Sequence, residues 1–385
     1  MSEIELFKCL LKNLRKVYTN KNRLYYIHPP ILDSHDKVSL ANCIDSKFVS
    51  STGKLVDKFE NNIKKITKSK HVISVINGTS ALHLSLQLMD IKKNEEVLLP
   101  SFNFVASSNA CLYVGAIPHY IDSDNNLGID LDKLKNYLEK FTILKNNKCY
   151  NIKTKRFITA CIPTYSYGHT FDIFSLNNIC KKKKIRIIED ASEALGSFFK
   201  KKHAGTFGDI GVLSFNGNKI VTTGGGGAIL TNNSMIAKKA RHLSTTAKKE
   251  KNFIKTHDML GYNYRMPNLN AALGLSQLNK LQQTIQNKRK LFLKLKKCLT
   301  GLDDYFEVFE ENKASRSNYW IQLLVIKKRI RINNLLKFLK KNNIECQKAW
   351  QMTNEFNYLK NFPKMQYLGA KKFTNSIICL PSNNF

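Results

Sequence analysis

Between about residue 70 and residue 245, short apolar runs alternate with segments of helical spacing, and no other feature restricts the fold of this chain so strongly. Strands and helices that alternate in this way bury their apolar faces when the strands lie side by side and the helices cover the sheet. The pattern therefore predicts βα units around a largely parallel sheet, an α/β core. The clearest strand runs are residues 97–99, 117–121, 157–162, 185–189, 211–215 and 228–231. Helical spacing marks residues 80–89, 107–114, 173–182 and 234–243. A long helix is expected over 268–299, with Pro267 suited to its first turn. Beyond it, a strand over 319–325, a helix over 333–341 and a strand over 377–380 suggest a smaller α+β domain.

A chain of 385 residues has room for two domains, or for one large domain with a smaller appendage. A hydrophobic share of 43% with no run of about 18 apolar residues argues against a membrane-spanning helix. The opening residues mix Glu3 and Glu5 into a short amphipathic stretch and lack the basic-then-apolar layout of a signal peptide, so a cytoplasmic location is expected. Nine cysteines, odd in number and without a Cys-x-x-Cys pair, read as reduced thiols. No His-x-x-x-His pair suggests a metal. The net charge of +33 raises nucleic-acid binding as a possibility. Its lysines are spread along the whole chain with no binding motif among them, which weighs against that reading. A positive field would also steer an anionic substrate.

Four short segments carry chemistry. Lys219 follows Leu213-Ser214-Phe215-Asn216-Gly217-Asn218 and precedes a run of four glycines, Gly224 to Gly227. Asp190 ends the apolar run Ile187-Ile188-Glu189-Asp190. A lysine on a loop after one strand and an acid at the tip of another are what pyridoxal phosphate (PLP) requires, as imine-forming amine and as partner of the pyridine nitrogen. Asn77-Gly78-Thr79-Ser80 opens a helix after an apolar run and offers hydroxyls and free amides to an anion. In Pro100-Ser101-Phe102-Asn103-Phe104, an aromatic lies where a strand opens to a crevice. Taken singly, the lysine and the helix start better suit a surface charge and an ordinary helix cap, and the phenylalanine suits the core as well as a crevice.

Taken together with Glu189-Asp190-Ala191-Ser192-Glu193 and Gly261-Tyr262-Asn263-Tyr264-Arg265-Met266, they closely resemble the DegT/DnrJ/StrS sugar-nucleotide aminotransferases from about residue 28 to 290. The resemblance implies a PLP-dependent aminotransferase of fold type I. Its large domain would have a mostly parallel central sheet, followed by a smaller C-terminal α+β domain. On that layout, residues 1–27 form an amphipathic extension and 28–245 the large PLP-binding domain. Residues 246–385 supply an interface loop, the linking helix and the small domain. Lys219 would be the Schiff-base lysine and Asp190 the pyridine partner. Gly78, Thr79, Ser80 and Ser214 would hold the phosphate, and Phe104 would stack on the ring. Asn263 would reach the phosphate in the neighbouring subunit of a homodimer, and Arg265 would bind substrate across the same interface.

The implied reaction moves the amino group of glutamate to a keto sugar on a nucleotide, for surface polysaccharides. Segments such as His28-Pro29-Pro30 and Phe48 to Lys54 look most like the legionaminic-acid and bacillosamine branch. That branch would act at C4 of a UDP-linked 4-keto-6-deoxy-N-acetylhexosamine. Attack at C3 is the alternative within the class, and a basic non-catalytic binding protein the alternative outside it. Relatives that dehydrate the sugar carry histidine where this chain has Lys219. The chain departs from many relatives at Glu193, where they have glutamine near the phenolic oxygen of the ring. It also stops at Ser382-Asn383-Asn384-Phe385, where relatives continue into a helix, so a shorter or reshaped small domain is expected.

Overall fold

In the computed structural model, the described residues are 2–251 and 253–383. The last two residues of the expected C-terminal departure therefore lie outside them. Seven strands build the central sheet: β1 (His71–Val75), β2 (Glu96–Pro100), β3 (Ile117–Ile121), β4 (Arg156–Cys161), β5 (Arg186–Asp190), β6 (Ile210–Ser214) and β7 (Gly227–Thr231). Their order is β1-β7-β6-β5-β4-β2-β3. Five of them, β6 to β3 in that order, pair in parallel, whereas β7 is antiparallel to both its neighbours.

The parallel strands read as nearly continuous apolar runs because helices cover both faces. Leu98, Ile187 and Leu213 enter one core, and Val97, Leu99, Ile188 and Val212 the other. A hairpin of Thr142–Lys145 and Lys148–Asn151 extends the sheet beside β4. Its strands are largely solvent-facing, with Ile143 and Leu144 about half exposed, so they leave no strong apolar signature.

The helix Asn268–Cys298 crosses from the sheet to a third core. Its Ala271, Leu281 and Ile285 pack under the sheet, while Leu291, Leu295 and Cys298 join the third cluster. Pro267 stands one position before this helix as its N-cap, in extended backbone, rather than in its first turn. The third core closes over an antiparallel four-stranded sheet that includes Gln322–Ile326 and Ile377–Leu380. Against it lies the helix Glu3–Leu14, started by a reciprocal Ser2/Glu5 capping box and buried through Leu6, Phe7, Leu10 and Leu14.

The strand expected over 319–325 begins only at Gln322. The chain turns at Tyr319, whose φ is +48°. Ser317 Oγ accepts from Tyr319 N–H at 3.0 Å, and Asn318 Oδ1 from Trp320 N–H at 2.8 Å. These local bonds hold the bend that aims Trp320 at the crevice. Among the described residues, no helix is long and apolar enough to cross a membrane.

Candidate active site

In open α/β sheets, ligands sit outside the carboxyl ends of the strands. Here that edge opens into a cavity of about 830 Å³, whose walls include Gly78, Thr79, Phe104, Asp190, Glu193, Ser214 and Lys219. Its lower rim follows from strand endings. Asp190 is the last residue of β5, Ser214 the last of β6, and Gly78 begins the helix Gly78–Leu88 after β1.

The helix start is tightly built. Asn77 caps it by accepting from Ser80 N–H at 2.7 Å. A Cβ on Gly78 would stand 3.0 Å from Ser214 Cβ, and one on Gly227 would stand 2.5 Å from the Asn77 carbonyl carbon. Glycine at both places lets β1, β6 and β7 close around a turn whose free amides face the cavity. Thr79 and Ser214 line the cavity there. Ser80 is buried in the first helical turn and is not part of that lining.

The loop that carries Lys219 is fastened at its base. Phe215 N–H donates to Gly226 O at 2.8 Å, and Thr223 N–H to Phe215 O at 2.9 Å. Asn270 of the long helix donates to Thr223 O and Gly225 O at 2.7 and 3.0 Å. Lys219 Nζ then reaches Glu193 Oε1 at 2.9 Å and lies 4.1 Å from the ring centre of Trp320. A carboxylate and an indole face thus hold the amine on two sides. The other Glu193 oxygen accepts from Tyr167 N–H at 2.7 Å. Burial pushes the Glu193 carboxyl up to about 6 against the opposing charge of Lys219.

Asp190 is 5% exposed. Its Oδ2 accepts from Ser107 Oγ at 2.7 Å and its Oδ1 from Ser192 N–H at 3.2 Å. Ser107, visible in the sequence only as a helix start, thus orients the carboxylate. Aromatic rings wall the upper part. Tyr167 stacks on Trp350 with centroids 4.4 Å apart, and Phe104, 54% exposed, lies 6.3 Å from Trp350. Tyr167, like Tyr319, has a positive φ, uncommon for a bulky residue and characteristic of functional sites. Tyr167, Trp320 and Trp350 were not singled out by the sequence, since each arrives from its own loop.

Asn263 and Arg265 are not gathered with the rest. Asn263 is exposed and bridges to Thr245, and Arg265 stands 3.7 Å from Asp57. Neither lines the cavity of its own chain.

The residues present fit PLP. An amine and a carboxylate share the cavity with an anion-binding helix start and an aromatic wall. The buried hydroxyl of Thr164, at the cavity wall, has no hydrogen-bond partner among the described residues.

Comparisons with known proteins agree with this geometry. The sequence model of the DegT/DnrJ/EryC1/StrS aminotransferase family matches residues 30–384. The chain is 34% identical to a GDP-perosamine synthase of Vibrio cholerae over 83% of both chains. It is 30% identical to a UDP-4-amino-4,6-dideoxy-N-acetyl-beta-L-altrosamine transaminase of Campylobacter jejuni, over 92% of this chain and 91% of that one. In structure it resembles Helicobacter pylori PseC, an aminotransferase involved in the biosynthesis of pseudoaminic acid. The TM-score is 0.83, with 24% identity over 93% and 94% of the two chains. The basic-binder alternative falls with these findings: the chain belongs to the DegT/DnrJ/EryC1/StrS aminotransferase family.

Proposed function

We propose that this protein is a PLP-dependent aminotransferase that moves the amino group of glutamate to the C4 ketone of a nucleotide-linked 4-keto-6-deoxy-N-acetylhexosamine, with UDP as the nucleotide. The product would feed surface-polysaccharide synthesis. The observation that carries the reading is Lys219 Nζ at 2.9 Å from Glu193, in the cavity that Asp190 also lines.

PLP, when bound, supplies an electron sink for charge that develops at the donor Cα. The Asp190 carboxylate, oriented by Ser107, would face the protonated ring nitrogen and stabilise its charge. The free amides at Gly78 and Thr79, with the Ser214 hydroxyl, would hold the phosphate at a helix N-terminus. Ser80 would contribute its place in that first turn, and Phe104 would stack on the ring. Lys219 Nζ would take and return the proton at the reacting carbon as general base and acid. Glu193 and the Trp320 face hold that amine in place in the resting site. Tyr167, Trp320 and Trp350 exclude water from that amine. Asn263 and Arg265, which lie outside the cavity, would complete a neighbouring subunit's site in a homodimer.

The Campylobacter relative, similar over more than nine-tenths of both chains, favours a UDP-linked N-acetyl sugar and C4. The Vibrio relative favours a second reading, a GDP-linked sugar. Incubation with [15N]glutamate and the UDP- or GDP-linked 4-keto-6-deoxy sugars, or a UDP-linked 3-keto sugar, followed by NMR of the product, tests the choice. We expect 15N at C4 of the UDP sugar. Labelling at C3, or of the GDP sugar alone, would replace that acceptor, and no transfer to any keto sugar would contradict the proposal.

A further inference from the structure

Lys288 is fully buried in the middle of the long helix, outside the cavity and unused by the chemistry above. Its Nζ lies 2.8 Å from His28 Nε2, 2.8 Å from Trp320 O and 2.9 Å from Ser382 O. Three polar partners meet the amine here, and burial holds its pKa well below the usual lysine value. Those partners come from segments widely separated in sequence: the start of the large domain, the bend before Gln322, and the C-terminal stretch after Leu380.

Burial above all holds the pKa of His28 well below the usual histidine value. The Asn218 backbone is one of the groups beside its ring. From the other side, Trp320 Nε1–H donates to Asn218 O at 2.8 Å. Asn218 immediately precedes Lys219, and the face of the same indole lies under Lys219 Nζ. The main chain of Trp320 is thus held by Lys288, while its ring holds the reactive lysine and that lysine's neighbour. Gln322 ties the helix in once more, through Nε2 to Lys288 O at 3.0 Å.

We propose that Lys288 is a positioning residue: a buried strut that fixes Trp320 and His28 so that the indole and the Asn218 carbonyl hold Lys219 in place. The inference rests on the reading of Lys219 as the reactive amine. A purely structural role would lower stability without changing the access of reagents to Lys219 in the folded state.

The test is reductive methylation of the full-length protein, dialysed free of PLP, with formaldehyde and cyanoborohydride. Peptide mass spectrometry reads the rate at Lys219 and, as an exposed control, at Lys8. In Lys288→Met and in Trp320→Phe, Lys219 should be labelled roughly tenfold faster through local opening, with Lys8 unchanged. In the double variant the rate should be no faster than in the faster single variant, because both changes break one network. An unchanged Lys219 rate in folded Lys288→Met, or multiplied effects in the double variant, would overturn the strut. If Lys288→Met does not fold, Lys288→Gln, which keeps donors for two of the three partners, is read by the same criterion. Labelling requires no amino transfer, so a failure here leaves the proposed reaction standing, and a failure of the reaction leaves this result interpretable.

Discussion

Two buried glutamates near the end of β5 lie on opposite sides of it and have opposite kinds of partner. On the underside, Glu189 is enclosed by the Tyr165 hydroxyl and by the N–H groups of Gly205, Phe207 and Gly208. On the crevice side, Glu193 meets one backbone N–H and the side-chain amine of Lys219. Burial raises the pKa of both. The difference lies in what the donors can do: those around Glu189 are fixed parts of the fold, whereas Lys219 can change its charge and its bonding. A buried acid saturated by backbone fastens a loop. One paired with Lys219 would, on the proposed reading, serve the chemistry.

The contrast breaks most visibly at Lys219. Lys219→Ala should lower the rate of amino transfer by roughly 10⁴-fold while leaving the urea midpoint of unfolding little changed. Asp190→Asn, which keeps the shape and removes the charge, should cost about 10²- to 10³-fold in kcat, again with a near-normal midpoint. The underside should behave in the opposite sense. Glu189→Gln places an amide NH2 against fixed donors and should destabilise the fold by roughly 2–5 kcal/mol, read by urea unfolding. Loss of activity without loss of stability there would dissolve the distinction.

Glu193 offers a smaller and pH-dependent test. Its folded pKa lies above its unfolded one, so the folded state binds its proton more tightly, and stability falls as pH rises through the unfolded value to about 6. Glu193→Gln should therefore be more stable than the natural protein by about 1–2 kcal/mol at pH 8 and equal to it near pH 4. A gain that persists at pH 4 would contradict the assignment. The smallest expected signal concerns Asn263. If it serves a neighbouring subunit, mixing inactive Lys219→Ala with inactive Asn263→Ala should restore about a quarter of the activity, through mixed dimers with one intact site.

Much of this arrangement was legible in the sequence for local reasons. The parallel strands are apolar on both faces, and Lys219, Asp190, Ser214 and Gly78 each sit where an apolar run ends in polar or glycine residues. What was not legible depends on the bends that aim side chains. Tyr167 and Tyr319 adopt left-handed backbone that no periodicity encodes, and Trp320 and Trp350 reach the cavity from separate loops. Lys288 reads as one more lysine in a basic helix until three distant segments are seen to converge on it. Asn263 and Arg265 were picked out by family likeness alone, and a single chain gives them no place in the cavity.

The central claim is that Lys219 is the amine through which PLP and glutamate meet. The most direct measurement is the visible absorption spectrum of the purified protein with PLP, before and after glutamate, beside Lys219→Ala. The account predicts a visible band that glutamate bleaches in the natural protein and that is absent or unresponsive in the variant. No bound chromophore, or the same response in both proteins, would contradict it.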